Sequence, residues 1–543
     1  MNLFNLRSKF FRREVESRLY SGKKYQLPKL EKKVRENFPV QLARLKEEIV
    51  KINITQESPE FPEADAILGK SYGSYYHYNE NLANLPPELG NKIAWKINLE
   101  NLPNGFDPVA VWANGTLAYV FDLSILALYT GDEKYAGKAV KEILSFDEEN
   151  PFCTGLNWLS VDFAAIRTVN LILSVVNLSG TTELSGSTDR IYDIILAHSV
   201  WLDNMGEGTE ELPANQGLVS LALLLCGIVF EESPYGKRLL FESLKRLERD
   251  IYGAFYADGT SKAHSTDRHI LALEIYLTAA LILRQHKAQL SEGYKKLLRE
   301  ACRTFQSYLR NDGTFPNLGD AFPVNLLNFL SPYNNINPTI VMALALGYFE
   351  DLNRVNLDLP SRLATDYFLG GQVLSRVAGR GQISSGDSLA YRSGGYFLIR
   401  EAGINAFIKA GESLSKGSVS AAHGDLFGFE LWYKDKPFIV DNGTYSYFFD
   451  KTLRDKLRTV LYHNTFYVDG GKLLEVAGSL GIRQDYTQPK ILEWEDNSLE
   501  TRLVCQHYAF VRLLDPVISK RTFQLDKQEN KFWVKDEFYG GQP

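Results

Sequence analysis

The stretch AAHGDLFGFELWYKDKPFIVDNGTYSYFF (Ala421–Phe449), with LRTVLYHNTFYVDG (Leu457–Gly470) close behind it, decides the fold. Apolar and polar residues alternate in it, and Gly, Asp and Asn interrupt the alternation at short intervals. That pattern predicts antiparallel strands joined by tight turns. The same stretch carries His423, Asp441 and His463, in a chain with 8 His among 543 residues. Two scarce imidazoles bracketing a carboxylate at strand ends predict a metal site or an active-site wall.

The period-two pattern extends both ways. GGQVLSRV (Gly370–Val377), GGYFLIREA (Gly394–Ala402), NAFIKAG (Asn405–Gly411), HNTFYVDGG (His463–Gly471) and RLVCQHYAFVRLL (Arg502–Leu514) all read as strands of one β-sandwich. Upstream the period changes. Apolar residues recur three and four apart in FDLSILALY (Phe121–Tyr129), FAAIRTVNLILSVV (Phe163–Val176), QGLVSLALLLCGIVF (Gln216–Phe230), HILALEIYLTAALIL (His269–Leu283) and TIVMALALGYF (Thr339–Phe349). Short polar turns such as TGDEKY, NPFCTG and YADGTS separate them. Helices of similar length paired by short loops predict an α/α toroid or solenoid. The expected organisation is a basic, solvated helical arm over 1–80, an α/α toroid over 81–360 and an antiparallel β-sandwich over 361–543. The end, DEFYGGQP, reads as an unfinished hairpin.

The bulk numbers exclude some classes. A net charge of −6 and a pI near 5.9 lack the basic footprint of a general nucleic-acid binder. Cys153, Cys226, Cys302 and Cys505 are scattered with no CxxC, so neither a thiolate zinc motif nor a disulfide framework is expected. The longest apolar run, Leu218–Phe230, is too short for a membrane span. The opening MNLFNLRSKFFRREVESRLYSGKKY lacks a signal peptide's apolar core, so a cytoplasmic location is expected. Tyr (29) and Phe (31) are abundant enough to line a sugar cleft, although core packing accounts for most of them.

From Trp95 onward, the order of motifs resembles the heparinase II/III-like polysaccharide lyases. Asp107 to Trp112 come first, then NPFCTGLNWLSVDFAAIR with Asn150, Pro151, Gly155, Asn157, Trp158 and Arg167. DGTSKAHSTDRH follows, and then the HGD, VDNGTY and HNTFYVDG elements quoted above. The resemblance implies β-elimination on an acidic, uronate-containing polysaccharide or oligosaccharide. A base removes the proton α to the carboxylate, and the bond to the 4-oxygen breaks. A polar side chain must neutralise the carboxylate, and an acid must protonate the leaving oxygen.

By that resemblance Asn215 is the neutraliser, although an asparagine there also suits a helix N-cap. The family's tyrosine position falls at Arg268, which stays protonated and cannot act as base. His269 is then the expected base or acid, with His264 and Tyr276 as backups and Arg268 as a contact for the substrate carboxylate. Trp158, Arg167, Arg454, Arg458 and Asn464 complete the expected substrate contacts. His423, Asp441 and His463 match positions that hold zinc in some relatives, here expected in a structural part; no organic cofactor is implied. Gln216 stands where the family often has histidine, and Ala421 stands where its sheet-side catalytic histidine belongs. Two other readings stay open: a catalytically altered glycan-binding or glycan-processing protein of exopolysaccharide synthesis, and a glycoside hydrolase using two of Asp258, Asp267 and Glu274.

Overall fold

Helices occupy the chain from Leu3 to Val377 and strands from Leu389 to Gly540. The structure, a computed structural model, describes residues 3–540 apart from 53–59, 63, 70–86, 91, 104, 207–215, 311, 332–335, 378–385, 414–420 and 478–480. The longer helices are α1 (Leu3–Tyr20), α2 (Phe38–Ile49), α3 (Ala118–Thr130), α4 (Glu133–Glu149), α5 (Val161–Asn177), α6 (Thr188–Met205), α7 (Gln216–Val229), α8 (Pro234–Ala254), α9 (Thr266–Gln285), α10 (Glu292–Tyr308), α11 (Pro338–Phe349) and α12 (Leu359–Leu369).

Their composition sorts them into two rings. α3, α5, α7, α9 and α11 contact one another in chain order, and each also packs on the helix that follows it. Nearly every described residue of α5 and α9 is buried, as an inner helix covered on all sides requires. The outer helices α4, α8 and α10 bury one face and leave charged residues on the other. The result is an α/α toroid of helical hairpins. Pro108–Thr130 is long and apolar enough to cross a membrane by composition, and its most apolar window is wholly buried inside this ring.

α1 departs from the solvated arm expected of it. Phe11 and Val15 are buried, the Phe11 ring lies 6.5 Å from Trp201, and Arg7 pairs with Asp203 at 2.6 Å. An apolar stripe inside a basic sequence docks this helix on the toroid. The segment YGSYYHYNENL (72–82), whose sequence has no helical period and reads as irregular, lies outside the described residues.

The second half consists of two stacked antiparallel sheets. One runs β1 (Leu389–Tyr391), β2 (Tyr396–Glu401), β3 (Ile404–Lys409), β4 (Phe429–Tyr433) and β5 (Lys436–Ile439) in spatial order. β6 (Leu474–Ala477) and β7 (Gly481–Asp485) form a separate hairpin. The other sheet contains β8 (Lys490–Asp496), β9 (Glu500–His507), β10 (Val517–Asp526) and β11 (Lys531–Gly540), ordered β11-β10-β9-β8. Phe397, Ile399, Ala406 and Ile408 of the first sheet share a core with Leu503, Cys505, Phe523 and Leu525 of the second. That shared core makes the pair a β-sandwich.

Three expected strands differ. GGQVLSRV forms a helix, Gly371–Val377, because a short mixed run fits either period and Gly370, at φ 83°, ends α12 and lets the chain turn into it. HNTFYVDGG joins no sheet; its Thr465 hydroxyl donates instead to the Leu426 carbonyl at 2.6 Å. RLVCQHYAFVRLL is a strand only to His507, after which Ala509–Arg512 winds into a 3-10 turn.

The loop between α10 and α11 is pinned from below and faces the sandwich above. Glu274 of α9 accepts from the Leu326 and Leu327 amides at 2.8 and 3.0 Å, and Asp122 of α3 accepts from Leu330 N at 2.8 Å. Burial raises the Glu274 carboxyl to about 7, against the pull of those two amides. Arg310 pairs with Glu430 of β4 at 2.6 Å, fully buried, under the Trp432 ring. Tyr308 of α10 meets Phe407 of β3 at 4.9 Å between ring centroids. These contacts fix where the loop presents Asp320.

Candidate functional site

Asp320 is the hub of the junction. Its amide donates to the Ala421 carbonyl at 2.7 Å, and its carbonyl accepts from the Ser265 hydroxyl at 2.7 Å. Ser265 is also the N-cap of α9. The Asp320 Oδ1 atom meets His423 Nε2 at 2.8 Å and Arg454 Nη2 at 2.6 Å. Burial alone would raise this carboxyl. Arg454 and His423 outweigh it and hold Asp320 well below the usual carboxylate range. Nothing in the sequence pairs Asp320 with His423, 103 residues apart.

His463 Nδ1 bonds Asp441 Oδ2 at 2.8 Å, and the ring lies 5.3 Å from that of His423. Asp441 also accepts from Gly443 N at 3.0 Å, which fixes its turn. One ligand atom from each of His423, Asp441 and His463 lies within 4.8 Å of the others. His423 Nδ1 and His463 Nε2 are buried with no hydrogen-bond partner. Two orphaned imidazole nitrogens beside a carboxylate are the donor set that Zn²⁺ takes. These residues therefore fit a metal ion, and the two orphaned nitrogens are the ones left to bind it.

Beside this cluster lies His264. It is 2% exposed, its φ is +55°, and neither ring nitrogen has a partner. Burial, helped by Lys409, lowers its pKa to about 3, so the imidazole is neutral at ordinary pH. The preceding residue, Ala263, accepts from Ala421 N at 3.2 Å. A Cβ on Gly319 would meet the His264 carbonyl at 2.5 Å and the Ala421 carbonyl at 2.7 Å. His264 thus stands next to Ala421. Half-buried Tyr256 faces it, with ring centroids 6.2 Å apart. Lys409 and Asp425 form a buried ion pair close by.

Other expected site residues fall elsewhere. His269 points into the core between Phe255, Phe305 and Tyr308, and its Nε2 lies 3.2 Å from the Ala301 carbonyl. Tyr276 is fully buried against Tyr294 and Gly217. On the inner helix α9 every face is covered, so neither side chain can touch a polymer. Arg268 lies 4.3 Å over the Phe322 ring and hydrogen-bonds Tyr447. Asn215 lies outside the described residues.

Five expected substrate contacts make hydrogen bonds within the protein. Arg167 is fully buried, bonding His198, Gly115 O and Asn157 O at 2.9, 3.1 and 2.9 Å and lying over Trp158. Trp158 donates to Asn150 O at 3.0 Å. Arg454 is held by Asp320, and Arg458 donates to Gly481 O at 2.6 Å. The Asn464 amide holds the Phe429 and Val440 carbonyls at 3.2 and 2.8 Å. Of the hydrolase carboxylates, Glu274 holds backbone amides, Asp258 accepts from Thr260 and Ser393, and Asp267 accepts from Phe322 N. Asp320, Tyr256, Lys409 and Asp425 are the residues missed. Asp425 ends the HGD element and Tyr256 opens the YADGTS turn, yet only proximity in the folded chain groups the four.

Comparison with known proteins agrees with this architecture. Residues 384–543 match the family described as Heparinase II/III-like, C-terminal. A crystal structure of heparinase III superposes with a TM-score of 0.65 at 16% identity, covering 93% of this chain and 77% of that one. Heparan sulfate lyase HepC from Pedobacter heparinus superposes with a TM-score of 0.55 at 17% identity, covering 93% and 73%. No curated protein sequence matches. The chain is similar to these proteins in fold, and its C-terminal part matches the heparinase II/III-like C-terminal family.

Proposed function

We propose that this chain is a polysaccharide lyase acting on an acidic, uronate-containing glycan by β-elimination, with Tyr256 and His264 as its proton-transfer pair. The observation that carries the reading is His264: a buried, neutral imidazole with two unpartnered nitrogens on a strained backbone, beside Ala421. Such a group costs stability, and sites that retain one use it. Tyr256 is the member of the pair that reaches solvent.

In this reading the Tyr256 oxygen takes the proton from the carbon α to the uronate carboxylate while its own proton passes to His264. The electron pair left on carbon forms the new double bond, and the bond to the 4-oxygen breaks. The proton returns through Tyr256 to that oxygen, which leaves as a hydroxyl. The substrate carboxylate raises the affinity of the imidazole for the proton it receives. Asn215 is the proposed neutraliser. A metal ion at His423, Asp441 and His463 would supply charge and crosslinking to the sandwich wall, and no proton transfer is assigned to it.

The test is ultraviolet absorbance of the unsaturated product on uronate polymers, with Tyr256→Phe and His264→Gln as controls. Product from the parent and at least a hundredfold less from either variant, with glycan binding kept, supports the proposal. Full activity in both variants overturns the pair. Ala421 and Arg268 at the family's catalytic positions favour a second reading, glycan binding without cleavage. Saturable binding by the parent with no product would establish it. New reducing ends without unsaturation would point to hydrolysis.

A further inference from the structure

A pocket at the far end of α9 takes no part in the site above. α10 turns Tyr294, Leu298, Ala301 and Phe305 inward, which leaves Lys295, Lys296 and Arg299 on its outer face beside Glu292. Arg284, in the last turn of α9, and the aromatic pair ending α11 close this face into a cavity of about 290 Å³. Arg284 Cζ lies 5.0 Å from the Tyr348 ring centroid and Arg299 Cζ 5.2 Å from that of Phe349. Glu292 bonds Lys295 at 2.8 Å, and Asp351 stands 3.8 Å from Arg299.

Four cations face this cavity against one carboxylate among its lining residues, in a chain of net charge −6. Soluble surfaces usually intersperse the two signs, and a concave wall in which one sign predominates focuses its field on whatever enters. Guanidinium groups recognise planar oxyanions. The half-buried Tyr348 ring adds a flat apolar wall of the kind that stacks on a sugar. At this volume the pocket takes one sugar ring or one oxyanion, at the small end of ligand sites.

We propose that this pocket is a second, non-catalytic binding site for an oxyanion group, the carboxylate or sulfate of an acidic glycan. Arg284 lies sixteen residues along α9 from Arg268, about 24 Å away at the helical rise. A polymer held there would be retained between turnovers. The proposal rests on the acidic-glycan reading above for the identity of the polymer, and on the pocket alone for the anion.

Calorimetric titration of the His264→Gln protein with inorganic sulfate and with a glucuronate-containing hexasaccharide tests it. The comparison protein adds Lys296→Glu and Arg299→Glu, both exposed. Hexasaccharide bound at least tenfold more tightly than sulfate, and lost in the comparison protein, makes a glycan segment the occupant. Equal affinities, both lost in it, make a free oxyanion the occupant. Unchanged binding of both ligands overturns the site. Failure of the lyase reading shows separately, as absence of unsaturated product from the parent.

Discussion

Asp320, on a loop of the helical toroid, and His423, on the sandwich, meet at 2.8 Å in a fully buried contact that Arg454 completes at 2.6 Å. The two halves of the molecule are therefore joined through charge as well as through apolar packing. Several consequences can be measured.

Asp320→Asn should cost about 3–5 kcal/mol, because it leaves the Arg454 guanidinium buried without its counter-charge. Urea denaturation would show this as a lower midpoint. The Asp320→Asn/Arg454→Met double variant should recover part of the loss. An unchanged midpoint in the single variant would mean that the pair contributes nothing.

A protein purified with zinc present should carry one metal ion per chain by elemental analysis, and His423→Ala or His463→Ala should remove it. Chelation should lower the melting temperature of the parent and leave that of the His463→Ala protein where it was, since binding to the folded state alone stabilises it. Metal retained by both variants would exclude the cluster as its site.

Stability should fall on acidification. His198, His269 and His507 are buried and neutral, with burial as the main cause and values of about 3. In the unfolded chain they protonate near 6.5. Between those values the unfolded state binds more protons, so stability is full above about 6.5 and is lost as pH falls toward 3. Each imidazole contributes up to about 1.4 kcal/mol per pH unit. Unfolding free energies at pH 7.5, 6 and 5 would measure the slope, and His269→Phe should remove about one proton's share.

Gly319→Ala should destabilise the protein and disable the proposed site together. Gly319 has φ +70°, and an added Cβ would sit 2.5 Å from the His264 carbonyl and 2.7 Å from that of Ala421. Both neighbours are backbone, so His264 and Ala421 must separate. A loss of about 1–3 kcal/mol is expected from the strained conformation alone, with product formation reduced as in His264→Gln. Activity kept despite the lost stability would show that the spacing at this point does not matter.

The architecture was legible because periodicity reports burial. Inner helices such as α5 and α9 are buried all round, outer ones carry a charged face, and GGYFLIREA and NAFIKAG form strands covered on both faces. GGQVLSRV was misread because a short mixed run fits either period. The candidate site was only half legible. His423, Asp441 and His463 stand in motifs and converge as expected, and His264 was among the candidates. His269, five residues on, looked equivalent in the sequence and lies in the core.

The sequence by itself determined the helical ring, the sandwich and the metal-compatible triad, because local pattern encodes which face of each element is buried. Tertiary structure alone decided which charged residues are enclosed. Arg167, Arg454 and Arg458 are as basic on paper as any cleft residue, yet each is enclosed with its own acceptors. The physical reason is that a buried charge needs a partner from a distant segment. Asp320 supplies one to Arg454 across 134 positions of chain, and no local pattern records that pairing.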